Sequence, residues 1–143
     1  MKTGIESTVI DRLNELLEAE RAGVDTLSRL FPDAHSPEML KLFEEVRSDE
    51  AWSCAGLVRS IKTMGGTISE KKGDFADKVM REPTLAARLL LLNRGQGWVV
   101  KRLDGVLGQA LPASVGSFLR EMKTRHVTNI DACERLAKSL GAA

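Results

Sequence analysis

Six polar residues, Glu20, Glu50, Ser53, Gln96, His126 and Asn129, have the types and the spacing to do chemistry together. Glu20 and Glu50 are 30 residues apart, as are Gln96 and His126, while Ser53 and Asn129 each follow three residues after the second member of their pair. Two carboxylates and an imidazole at one level can hold a divalent ion, or can share protons in a buried network with two amides and a hydroxyl. Either use requires the six to face inward. A buried, unpaired carboxylate is expensive even after relaxation, so Glu50 needs partners at its own height on other elements.

The surrounding residues describe those elements. Met39, Phe43, Val46, Glu50, Ser53, Leu57, Ile61 and Met64 recur at intervals of four or three, which traces one seam down a long helix. Ser36 and Pro37 start that helix as cap hydroxyl and first helical residue, and Gly65 and Gly66 stop it. A first helix from Ser7 or Thr8 to about Phe31 carries Leu13, Leu17, Glu20, Val24, Leu27 and Phe31 on its inner seam. A third begins at Pro83 and ends near Gly108, with Leu85, Leu89, Leu92, Gln96, Val99, Leu103 and Val106 inside. The fourth begins at Pro112, closes at Gly141, and carries Val115, Leu119, Met122, His126, Asn129, Cys133, Leu136 and Leu140.

Each seam is therefore broken by polar residues at mid-length. Connections are short between the first two helices and between the last two. The segment Thr67 to Glu82, with a short helix from Asp74 to Met80, is long enough to run from one end of a bundle to the other. The expected architecture is all-α: a four-helix bundle with one long crossover between the second and third long helices, occupying residues 1–143 as a single domain.

Two hairpins built alike about a pseudo-twofold, with a polar level at mid-height, resemble the ferritin-like superfamily. There, each hairpin supplies one Glu and then a Glu-x-x-His to a carboxylate-bridged di-iron centre. The resemblance covers nearly the whole chain. It implies that Glu20 stands for the first hairpin's single Glu and Glu50 for the Glu of its Glu-x-x-His, with Ser53 in the histidine's place. In the second hairpin Gln96 replaces the single Glu, His126 the next Glu and Asn129 the final His. The stretch Asn93 to Trp98 also resembles a local signature of a separate branch of that superfamily, one with a degenerate metal site.

These departures change the expected chemistry. A di-iron centre is balanced by four carboxylates, and neither amide nor hydroxyl offsets metal charge. The first expectation is a bundle that is not an enzyme and carries no cofactor or catalytic residue. In it Glu20 and Glu50 accept hydrogen bonds from His126 as imidazolium and from the Gln96 and Asn129 amides, with Ser53 completing the network. A proton shared between the carboxyls would serve in place of the imidazolium. The alternative is a metal-binding protein or oxidoreductase holding a single Fe, Mn or Zn ion on Glu20, Glu50 and His126.

Composition narrows the partners. Lys plus Arg is 21 against 20 for Asp plus Glu, with the signs interspersed, which disfavours nucleic acid and anionic membranes. The longest apolar run, near Leu89 to Leu92, is too short to span a bilayer, and the start of the chain has no secretory pattern, so a cytoplasmic protein is expected. Cys54 and Cys133 have the spacing of buried structural thiols rather than of a redox pair. Trp52 and Trp98 fall about 200° around their helices from the seams and are candidates for a homodimer interface. Gly95 and Gly97, which flank Gln96, are expected to permit tight helix packing in preference to contacting a small-molecule ligand, whose identity nothing in the sequence names.

Overall fold

A computed structural model describes residues 3–141, so both ends of the expected 1–143 domain lie outside the described residues. Helix α1, Gly4–Leu30, begins nearly a turn before the expected Ser7 or Thr8. Its cap is Thr3, whose hydroxyl accepts the Glu6 N–H at 3.0 Å while the Glu6 carboxylate accepts the Thr3 N–H at 2.9 Å. This reciprocal capping holds an exposed first turn that burial does not support.

Helix α2, Pro37–Thr63, starts as expected, with the Ser36 hydroxyl accepting from the Met39 N–H at 3.2 Å. It stops at Gly65, whose φ of 75° lies in the left-handed region that favours glycine. The crossover contains α3, Phe75–Arg81. Helix α4, Leu85–Leu107, starts two residues later than expected: Pro83 precedes the cap, and the Thr84 hydroxyl accepts the Ala87 N–H at 3.1 Å. Helix α5, Ala113–Ser139, follows Pro112, and Gly141 turns the chain away with a φ of 91°.

The chain is all-helical. Helix α1 lies along α2 and α4 along α5; contacts of α2 with α5 and of α1 with α4 close the bundle, and α3 rests on α1 and α4. Polar side chains of α1 hold the crossover in its path. Asn14 donates to the Thr67 carbonyl and accepts from the Ser69 N–H, and Arg21 donates to the Ser69 and Lys71 carbonyls. Arg88 of α4 closes the far end by donating to the Met80 and Glu82 carbonyls and to Asp33. No helix among the described residues is long and apolar enough to cross a membrane.

The core is in two apolar layers. One contains Leu13, Leu17, Leu57, Ile61, Leu103 and Leu119; the other contains Leu27, Leu30, Phe43, Val46, Leu89 and Cys133. The polar level lies between them. On α1 the inner seam passes through Gly23 and Leu30, not Val24 and Phe31, and on α5 Ala137 is buried where Leu136 was expected.

Gly56 shows how tightly the hairpins meet. A Cβ there would fall 1.9 Å from the ring of Phe118, which itself packs on Trp52 with centroids 5.0 Å apart. Gly56→Ala is expected to destabilise the chain by about 2 kcal/mol through overpacking. Urea unfolding of the variant checks this, and relief in a Gly56→Ala, Phe118→Leu double variant identifies the ring as the cause.

Candidate metal centre

The four long helices each place at least one polar side chain at mid-height. Glu20 comes from α1, Glu50 and Ser53 from α2, Gln96 from α4, and His126 and Asn129 from α5, and none is more than 7% exposed. One ligand atom each from Glu20, Glu50 and His126 lie within 4.8 Å of one another. His126 Nε2 is 2.7 Å from Glu20 Oε1 and 3.8 Å from Glu50 Oε2. The other ring nitrogen, Nδ1, is 2.9 Å from the Met122 carbonyl oxygen. A carbonyl only accepts, so Nδ1 carries a proton and Nε2 is the nitrogen presented to the carboxylates.

The two amides do not join them, which corrects the expected network. Gln96 Nε2 donates to Asn93 Oδ1 at 3.1 Å, and Asn93 in turn donates to the Ile130 carbonyl. Asn129 Nδ2 donates to Asp49 Oδ2 at 2.9 Å. Asp49 also accepts from Arg125 at 3.0 Å, and that guanidinium lies 3.7 Å from the centre of the Trp52 ring. Asn129 thus belongs to a cluster on the outer side of the α2–α5 contact.

What remains is a set of buried polar atoms without hydrogen-bond partners: Glu20 Oε1, Glu50 Oε2, Ser53 Oγ, Gln96 Oε1 and His126 Nε2. The short approach of His126 to Glu20 does not pair them, because the Nε2 direction misses the oxygen. Each orphaned group carries a desolvation penalty of about 1–3 kcal/mol. Burial pushes the Glu20 carboxyl up to about 7, against smaller lowering from the Glu50 and Ser53 side chains. Glu50 is raised well above the carboxylate range, first by burial and then by the Glu20 charge, while His126 acts the other way. Burial and the mutual repulsion of the two carboxyls thus both favour their protonated forms in the metal-free chain.

Comparison with known proteins places this chain in a family. The sequence model described as "Domain of unknown function (DUF6306)" matches residues 7–135. The chain belongs to the DUF6306 family. No curated protein matches its sequence significantly. The DUF6306 chain is similar in structure to a crystal structure described as ferritin like, diiron-carboxylate proteins from Bacillus anthracis str. Ames, with a TM-score of 0.83 and 20% identity over 95% of this chain and 99% of that one. The fold of the DUF6306 chain is accordingly ferritin-like.

Two glycines fit the side chains around this centre. A Cβ on Gly23 would fall 2.8 Å from Glu50 Oε2, so the DUF6306 chain needs a bare backbone on α1 to admit that carboxyl. Gly23→Ala is expected to leave the fold intact, because the end of a glutamate side chain can shift. Were Glu50 a ligand to a divalent ion, displacing its carboxyl would weaken that binding by about 10- to 100-fold, the range typical of disturbed ligand support; titration calorimetry with Zn(II) reads it. The spacing of the seams did not point to Gly23, because a residue without a side chain leaves no mark in an apolar pattern.

Gly95 meets the expectation of close packing, with its neighbour the Phe75 ring of α3 at 2.8 Å from a built Cβ. Gly97 does not: nothing approaches its Cβ position within 4 Å. Trp52 packs on the Phe118 ring, with the Arg125 guanidinium 3.7 Å from its ring centre, and remains part-exposed. Trp98 is 40% exposed, with Arg102 over its ring at 5.0 Å. Burial pushes both cysteines, Cys54 and Cys133, up to about 12, which holds each as a thiol in the metal-free chain.

Proposed function

We propose that this ferritin-like protein binds one divalent metal ion through Glu20, Glu50 and His126. The observation that carries this reading is the set of buried donor atoms, one from each of these residues, that converge within 4.8 Å and lack hydrogen-bond partners. A metal-free network needed the Gln96 and Asn129 amides as donors to the carboxylates, and both are engaged elsewhere. The donor set suits a single ion. Two carboxylates balance one divalent charge, and a histidine that donates its second nitrogen to a backbone carbonyl is the arrangement metal-binding imidazoles commonly adopt.

The residues do not fit two ions. The Bacillus anthracis protein is described as diiron-carboxylate, and a centre of that kind draws on four carboxylates and two histidines. Here Ser53, Gln96 and Asn129 hold three of the corresponding positions and contribute no charge. A single bound ion would supply Lewis acidity toward one further oxygen ligand. The protein's part is to hold the imidazole tautomer, keep both carboxyls out of bulk water and balance the charge.

Elemental analysis of protein purified with neither added metal nor chelator should find about one equivalent of Fe, Mn or Zn per chain, and Glu50→Gln and His126→Ala should each lose it. Absence of saturable uptake when Fe(II), Mn(II) and Zn(II) are titrated into the metal-free protein would sink the proposal.

A further inference from the structure

The centre is not sealed on every side. A pocket of about 480 Å³ opens between α1, α3 and α4, and Glu20, Glu50 and Gln96 are among its lining residues. All three are at least nine-tenths buried, and each has an oxygen without a hydrogen-bond partner, so they form the floor. Phe75, Leu92, Trp98 and Val99 make apolar walls. Lys78 and Arg94 also line the pocket, and both are exposed, which puts two cations at its mouth. Among the described residues Arg94 forms no ion pair, and Lys78 reaches only the well-exposed Asp74 at 3.7 Å.

We propose that this pocket binds a single-chain anionic amphiphile, with its charged head on Arg94 and Lys78 and its hydrocarbon chain between Phe75, Leu92, Trp98 and Val99. Charge decides the orientation. In the metal-free chain the two floor carboxyls give the floor no positive charge, so an anion has no reason to descend to it. At the mouth the Arg94 guanidinium offers paired donors that suit a carboxylate or phosphate head. The volume falls within the range of pockets that enclose small ligands, and the wall chemistry is that of such pockets. The chain end of the ligand then lies nearest the buried carboxylates. The site shares its floor with the proposed ion but does not require one.

Titration calorimetry on the whole chain, metal-free and Zn(II)-loaded, tests this with sodium octanoate, octyl phosphate, octylamine and sodium butyrate. One equivalent of octanoate, octyl phosphate or both should bind, and which of the two binds identifies the head group. Octylamine and butyrate should each bind at least about tenfold more weakly, since one lacks the anion and the other most of the buried chain, each buried methylene being worth about fourfold. Arg94→Glu, a surface change that leaves the melting curve intact, should weaken the anionic ligands by about tenfold or more. Octylamine equal to octanoate, binding unchanged in Arg94→Glu, or no saturable binding of either anion would overturn the proposal. Failure of Zn(II) uptake with octanoate binding intact counts against the metal ion alone, and the reverse counts against the amphiphile alone.

Discussion

Glu50→Leu is expected to make the metal-free chain more stable by about 1–3 kcal/mol, while abolishing metal retention. The Glu50 carboxyl is 2% exposed, has an oxygen without a partner, and sits beside a second carboxyl, so its charged form is opposed by burial and by Glu20 together. Leucine has a similar volume and no polar atom to satisfy, and it would extend the apolar seam between Val46 and Leu57. Loss of a direct ligand should exceed the about 10- to 100-fold effect of disturbing the outer hydrogen-bond partners of a metal site. Urea unfolding in chelator and elemental analysis read the two effects separately. A Glu50→Leu chain that is destabilised in chelator would mean that the carboxyl is already satisfied by protein groups.

The second large effect is a pH dependence of unusual sign. In the folded chain Glu20 has a pKa of about 7 against an ordinary glutamate value of 4.5, so between those two pH values the folded state holds more protons than the unfolded state. Stability then falls as pH rises through this window, and the Glu50 shift acts in the same direction. At about 1.4 kcal/mol per unit, Glu20 alone accounts for a decline on the order of 3 kcal/mol. The ion-paired surface acid Asp77 has its pKa lowered and so acts below this window, where acidification weakens it. Metal affinity runs the other way, because the carboxylates must be deprotonated to act as ligands. The urea midpoint of the metal-free protein should therefore drop from pH 5 to pH 8, and the stabilisation given by excess Zn(II) should grow over the same range. A metal-free midpoint that climbs with pH would contradict the buried carboxyl pair.

Much of this was legible in the residues. The alternation of fours and threes marks all four long helices, and the equal 30-residue spacings bring Glu20, Glu50 and His126 to the one level at which the fold places them. Where periodicity misled, another interaction had taken over. The first turn of α1 is held by Thr3 and Glu6 rather than by burial, and their three-residue spacing is itself a capping signal that outweighs Ser7 and Thr8. The α1 seam moves to Gly23 because Glu50 needs the space there, a demand that comes from another helix. Asn129 lies on the inner seam by period, yet it turns to Asp49, the neighbour of Glu50 on the flank of α2. Amide side chains choose among acceptors within reach, and a seam describes only one face.

The bond from His126 Nδ1 to the Met122 carbonyl has an entropic consequence. A solvent-exposed histidine explores several rotamers and two ring orientations, and gives up that freedom on engaging a ligand. Here burial between two apolar layers and an anchor one helical turn back have already removed it during folding. Binding of the proposed ion at Nε2 would therefore immobilise little that is still moving, leaving more of the interaction energy as affinity.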